Sequence, residues 1–233
     1  MLRRILTFLF CLLPLAAASA ETIAIIGTGD VAGALGPAFA EQGYRIVYGS
    51  RNPDRDDVRQ LLARSGTEAS ATTQAAAAAT ADIVVLAVPG LLVEEITVAL
   101  GDLDGKIVID PTNPLRRENG RFEHAVPTSN TEIIQSAAPG ARVVKAFSTI
   151  NYRTMIDPAL AGGPVTVPLA GDDAAAKRIV AELVEAMDLE AIDVGDARDA
   201  RWVEGMLILW INNRYSDTGR PPFEYQLRPL EQP

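Results

Sequence analysis

Ile23-Ala24-Ile25-Ile26 runs straight into Gly27-Thr28-Gly29-Asp30-Val31-Ala32, an apolar stretch followed by the spacing G-x-G-x-x-A. The small residues suit one task. Gly27 permits a tight turn, Gly29 lets a pyrophosphate approach the backbone, and Ala32 lets a following helix sit close on the strand. Free N–H groups at the positive end of that helix then meet the anion. Residues Gly27, Thr28, Gly29, Asp30 and Val31 are therefore read as a dinucleotide-binding loop. A second strand ends in Gly49-Ser50-Arg51-Asn52-Pro53. An acidic residue there would bond a ribose 2′-hydroxyl, whereas arginine accommodates a 2′-phosphate. Ser50 supplies a hydrogen bond, Arg51 a charge-assisted pair and Arg55 a second cation. That combination selects NADP over NAD.

The elements that must position these residues alternate along the chain. Strands are expected at 23–26, 44–48, 83–88, 106–110, 141–147, 164–169 and 189–194. Helices are expected at 31–42, 54–64, 74–80, 91–100, 131–138, 174–187 and 198–212. Continuous apolar runs such as Ile83 to Val88 fit strands buried on both faces of a parallel sheet. The alternation predicts an α/β fold, a doubly wound and mainly parallel Rossmann sheet with a small C-terminal α/β extension. The expected division is an export signal over 1–20, an NADP-binding domain over 21–150 and an extension over 151–233.

Residues 1–20 carry the marks of that signal: Arg3-Arg4, an apolar run from Ile5 to Leu15, and the small triplet Ala18-Ser19-Ala20. The run is shorter than the about 20 residues that span a bilayer. A periplasmic or secreted location follows, with no transmembrane segment in the mature chain. Arg3-Arg4-Ile5-Leu6 loosely matches a twin-arginine export signal, the route for folded, cofactor-loaded proteins. The single cysteine, Cys11, falls inside the signal, which leaves no disulfide, thiol nucleophile or thiolate ligand beyond it. The formal net charge is −9, and the signal contributes only positive charge, so the remainder is more acidic still. Nucleic acid is thereby excluded as a partner, since it demands a basic footprint. A small anionic ligand needs only local positive charge.

The blocks IAIIGTGDVAGAL, IVYGSRNP, ADIVVLAVP, KIVIDPTNPL, ARVVKAFSTIN, VPLAGDD and ARWVEGMLILWIN, in this order, resemble the NADPH-dependent reductases of coenzyme F420 over nearly the whole mature chain. The resemblance implies that NADP is held at Thr28, Gly29, Asp30 and Val31, and its 2′-phosphate at Ser50, Arg51 and Arg55. It also implies that Pro89 and Ala146 flank the nicotinamide. Hydride would pass directly between nicotinamide and a second ring, a flavin or deazaflavin, as a small-molecule redox acceptor. Ser148 stands where most relatives have asparagine. The same domain type is similar to the reductase module of the six-transmembrane metalloreductases, whose electrons go on to a metal. No catalytic acid or base and no metal ligand is named. The absence of an acid–base pair leaves open a rival class, an exported NADP-binding or sensor protein without catalysis.

His124, the only histidine, lies in a polar segment and is read as a surface residue. Asn113 follows a strand end where this fold puts ligands. Trp202, Met206 and Trp210 form a helical stripe, read as core or as the contact of a homodimer. Glu204 in that apolar helix requires a partner, because a buried carboxylate without one is costly.

Overall fold

The computed structural model describes residues 21–215 and 219–230. The expected export signal, with Cys11, lies outside the described residues. The sheet is built from β1 (Thr22–Ile26), β2 (Arg45–Gly49), β3 (Ser70–Thr72), β4 (Ile83–Leu86) and β5 (Ile107–Asp110). A hairpin of β6 (Leu115–Glu118) and β7 (Arg121–His124) follows, then β8 (Arg142–Lys145), β9 (Thr166–Ala170) and β10 (Glu190–Gly195). The helices are α1 (Asp30–Glu41), α2 (Asp56–Arg64), α3 (Gln74–Ala79), α4 (Val93–Ala99), α5 (Asn130–Ala137), α6 (Tyr152–Ile156), α7 (Ala174–Glu185) and α8 (Ala200–Arg214).

Eight strands form one sheet in the order β10-β9-β8-β5-β4-β1-β2-β3. Every pairing is parallel except β8 with β9, which meet antiparallel through the single pair Lys145 and Ala170. The Rossmann expectation holds, and β9 and β10 extend the same sheet. The order reverses between β1 and β4, the switch point outside which ligands bind in open α/β sheets.

Alternation along the strands divides the core between two faces. Ile23, Ile25, Ile83 and Val85 meet Leu35 and Phe39 of α1 on one side. Ala24, Ile26, Val84 and Leu86 meet Ala77 and Ala78 of α3 and Ile134 of α5 on the other. The alanine run thus packs as a thin helix, its N-cap Thr73 accepting from the Ala76 N–H.

Pro37 sits inside α1 and has no N–H to give the carbonyl four residues earlier. That carbonyl belongs to Gly33, and the Arg64 guanidinium of α2 donates to it. The proline gap therefore fastens two helices together. Three elements have no counterpart in the sequence reading: β3, the β6–β7 hairpin and α6. Among the described residues no helix is long and apolar enough to cross a membrane.

Candidate functional site

Gly27 leaves β1 with φ +114°, and a Cβ there would lie 2.1 Å from the Ala87 carbonyl oxygen. Only glycine fits both the conformation and the close approach. The Gly27 N–H donates to the Gly49 carbonyl at 2.9 Å, tying the loop to the end of β2. Gly29 caps α1 without any side-chain hydrogen bond, and open space surrounds the position of its absent Cβ. The first N–H groups of α1 therefore have no side-chain acceptor, which is the donor set of an anion site. Ala32 is fully buried, as the close seating of the helix requires.

At the end of β2, Ser50 is buried and its N–H donates to Thr72 at 2.9 Å. Its Oγ accepts from the Asn52 N–H at 3.1 Å, closing the turn that exposes Arg51. Among the described residues Arg51 has no hydrogen-bond or ionic partner. Arg55 stands at the N-cap of α2 and pairs with Asp57, which holds the Asp57 carboxyl below its usual range. The two cations named from the sequence are thus unequal: Arg51 is free and Arg55 is engaged.

Between β1 and β4 lies a crevice of about 180 Å³, walled by Gly29, Val31, Ala87, Pro89, Pro111 and Thr112. That volume is below the roughly 300–1,000 Å³ of a drug-sized ligand site, and suits a single ring. A larger hollow of about 770 Å³ opens at the other end of the sheet, beside Thr22, Tyr44 and Arg45. It lies away from the carboxyl ends of the strands, so the smaller crevice is the candidate site. The two lips of the crevice nearly touch. A Cβ on Gly90 would be 2.0 Å from the Asn113 carbonyl oxygen.

Pro89 is exposed on one lip of the crevice. Ala146 is fully buried in the core and offers no side-chain surface to the crevice. Asn113 donates from Nδ2 to the Ser148 carbonyl at 3.0 Å, bridging the exits of β5 and β8. Its Oδ1, with Ser148 Oγ and Thr149 Oγ1, is buried without a partner among the described residues.

The helical stripe divides: Trp210 is buried and Trp202 is 69% exposed beneath the Arg201 guanidinium. Glu204 is fully buried and has found its partners, Lys145 and His124, each at 2.7 Å. Sequence reasoning gave neither Lys145 nor Asp110 a role. Lys145 interrupts an otherwise apolar strand in VVKAF, and that interruption was the available signal.

A family model described as NADP oxidoreductase, coenzyme F420-dependent, matches residues 22–114. The F420-dependent NADP reductase of Methanothermobacter thermautotrophicus is 30% identical over 218 residues, spanning 84% of this chain and 92% of that protein. The chain belongs to the F420-dependent NADP reductase family. A crystal structure of a putative reductase of this family from Arthrobacter sp. FB24 matches with a TM-score of 0.74 at 35% identity, covering 81% of this chain and 91% of that one. Rat metalloreductase STEAP3 is 32% identical over 191 residues, 80% of this chain, which spans only 36% of the metalloreductase. The match to the Arthrobacter reductase extends beyond the residues of the family model, which end shortly after β5.

Proposed function

We propose that the protein is an NADP(H)-dependent oxidoreductase that moves hydride between nicotinamide and a second redox ring, a flavin or deazaflavin. The observation that carries this reading is Arg51, exposed and, among the described residues, without a partner, on the turn after β2 that is tied to the Gly27–Val31 loop, where a 2′-phosphate would need it. The loop fits the pyrophosphate by its uncapped helix start, and the crevice has room for one ring. The nicotinamide, when bound, supplies or receives the hydride.

The chain's own residues bind and orient. The α1 N-terminus would hold phosphate, Ser50 shapes the turn that presents Arg51, and Pro89 and Thr112 line the crevice that would take the ring. Direct ring-to-ring transfer asks for no protein nucleophile. Residues 151–233 are assigned to completing the acceptor side. The mature protein is assigned to the periplasm or the exterior on the strength of residues 1–20, and cell fractionation checks that assignment.

Fluorescence titration with NADPH and NADH tests the cofactor. NADPH should bind at least tenfold more tightly, and preference for NADH or failure of both refutes it. Oxidation of NADPH with flavin or deazaflavin then tests the acceptor. Tight NADPH binding with no turnover on any ring acceptor favours the binding-protein class instead.

A further inference from the structure

The hydrogen bonds that fix the crevice lips run back to a buried ionic group. Lys145, Asp110 and Glu204 are each fully buried, on β8, β5 and α8. Lys145 Nζ lies 2.7 Å from Asp110 Oδ2 and 2.7 Å from Glu204 Oε1, and donates to the Thr112 carbonyl at 2.8 Å. All three ammonium donors are spent. Burial works against the charge, but Asp110 and Glu204 outweigh it and hold the ammonium above its ordinary range.

From this group the bonds continue to both lips. Asp110 Oδ1 accepts from the Thr112 N–H at 2.8 Å and the Thr112 hydroxyl at 2.6 Å. The Asn130 N–H donates to Glu204 Oε1 at 2.9 Å. Its carboxamide donates to Thr112 Oγ1 at 2.7 Å and to the Gly90 carbonyl at 3.0 Å. Thr112 belongs to one lip, and Gly90 follows Pro89 on the other.

His124 stands at the opposite end, where the hairpin meets α8. Its Nδ1 is 2.7 Å from the Val126 carbonyl oxygen, and its Nε2 is 2.7 Å from Glu204 Oε2. A carbonyl only accepts, so Nδ1 must carry hydrogen. A neutral imidazole would then turn a bare lone pair on a carboxylate oxygen. A proton shared between Nε2 and Oε2 would complete the pair. With it, His124, Glu204, Lys145 and Asp110 sum to zero charge; without it, one negative charge is left over in the interior, which is costly.

Two other charges on α8 and the hairpin are engaged elsewhere. Arg201 donates to the Pro127 carbonyl at 2.6 Å, and Arg116 of the hairpin pairs with Glu118 and Glu123.

We infer that His124 and Glu204 are positioning residues, whose shared proton sets the geometry of the crevice lips through Lys145, Asp110 and Asn130. Neither touches the crevice itself. The consequence for NADPH rests on the function proposed above, whereas the coupling between the proton and the lips does not.

His124 is the only histidine in the chain, so its ring nitrogens give one unambiguous set of signals in ¹⁵N-labelled full-length protein. A pH titration by NMR should show the amides of Thr112, Asn130 and Gly90 shifting with the midpoint of the ring. NADPH dissociation constants should rise at least tenfold across that midpoint. His124→Gln, which donates to Glu204 without ever carrying charge, should remove the common midpoint and hold the change in affinity under twofold.

Two results overturn the inference. One is a ring that titrates with no response at the lips. The other is a ring with a bare Nε2 throughout the pH range in which the protein is folded. The wild-type titration decides between these outcomes even if the variant misfolds. Absence of NADPH binding at every pH would refute the proposed function, and the amide response would still decide the coupling.

Discussion

The loop from Gly27 to Arg55 and the group around Lys145 occupy the same end of one sheet, yet they treat hydrogen-bonding capacity in opposite ways. In the loop, α1 starts without a side-chain cap and, among the described residues, Arg51 has no partner. Around Lys145, every ammonium donor is used, and the carboxylates of Asp110 and Glu204 accept from several directions. Open capacity on a rigid frame is what a ligand can use; saturated capacity is what keeps the frame rigid. Burial alone would have chosen the wrong region, since the stronger electrostatics lie in the structural one.

The comparison breaks most severely at Lys145. Lys145→Met leaves two buried carboxylates uncompensated and should cost about 3–5 kcal/mol in denaturant unfolding. A loss under about 1 kcal/mol would mean that the group is not the frame.

A second test lies at Tyr48, the saturated residue on the loop side. Its hydroxyl is 2.7 Å from Ser65 Oγ, and burial pushes the phenol up to about 12, with Ser65 pulling partly back. The folded value is above the ordinary one near 10, so the stabilisation is complete below about pH 10 and is lost as pH rises towards 12. Wild type should lose about 2–3 kcal/mol more than Tyr48→Phe across that window, as read from unfolding midpoints.

Arg51→Ala tests the open side. Removing a charge-assisted contact worth about 1.5–3 kcal/mol should weaken NADPH tenfold to a hundredfold, with NADH and stability nearly unchanged. The smallest effect belongs to Asp57→Asn, which frees Arg55. An exposed pair contributes little to stability, so stability should hold while NADPH binds slightly more tightly.

How much of this was legible in the residues depends on how local the signal is. The glycine loop and the GSR turn were readable because each element is contiguous, and the long apolar strands announced a buried parallel sheet. The β6–β7 hairpin was not, because Arg116, Arg117, Glu118, Arg121 and Glu123 mask the alternation of two four-residue strands. β3 has three residues and no pattern to show. Glu204 could be flagged as needing a partner, but its partners come from positions 59 and 80 residues away. Spacing carries no record of such pairs, and only the closing of the sheet brings them together.

The bond from Arg64 to the Gly33 carbonyl links positions 37 and 64. A residue at 37 that restores the backbone N–H would compete with Arg64 for that carbonyl. Loss of Arg64 while Pro37 remains would hand that exposed carbonyl to water and unfasten the helix that carries the phosphate loop from its neighbour. A defect in one helix has thus become the fastening of its neighbour.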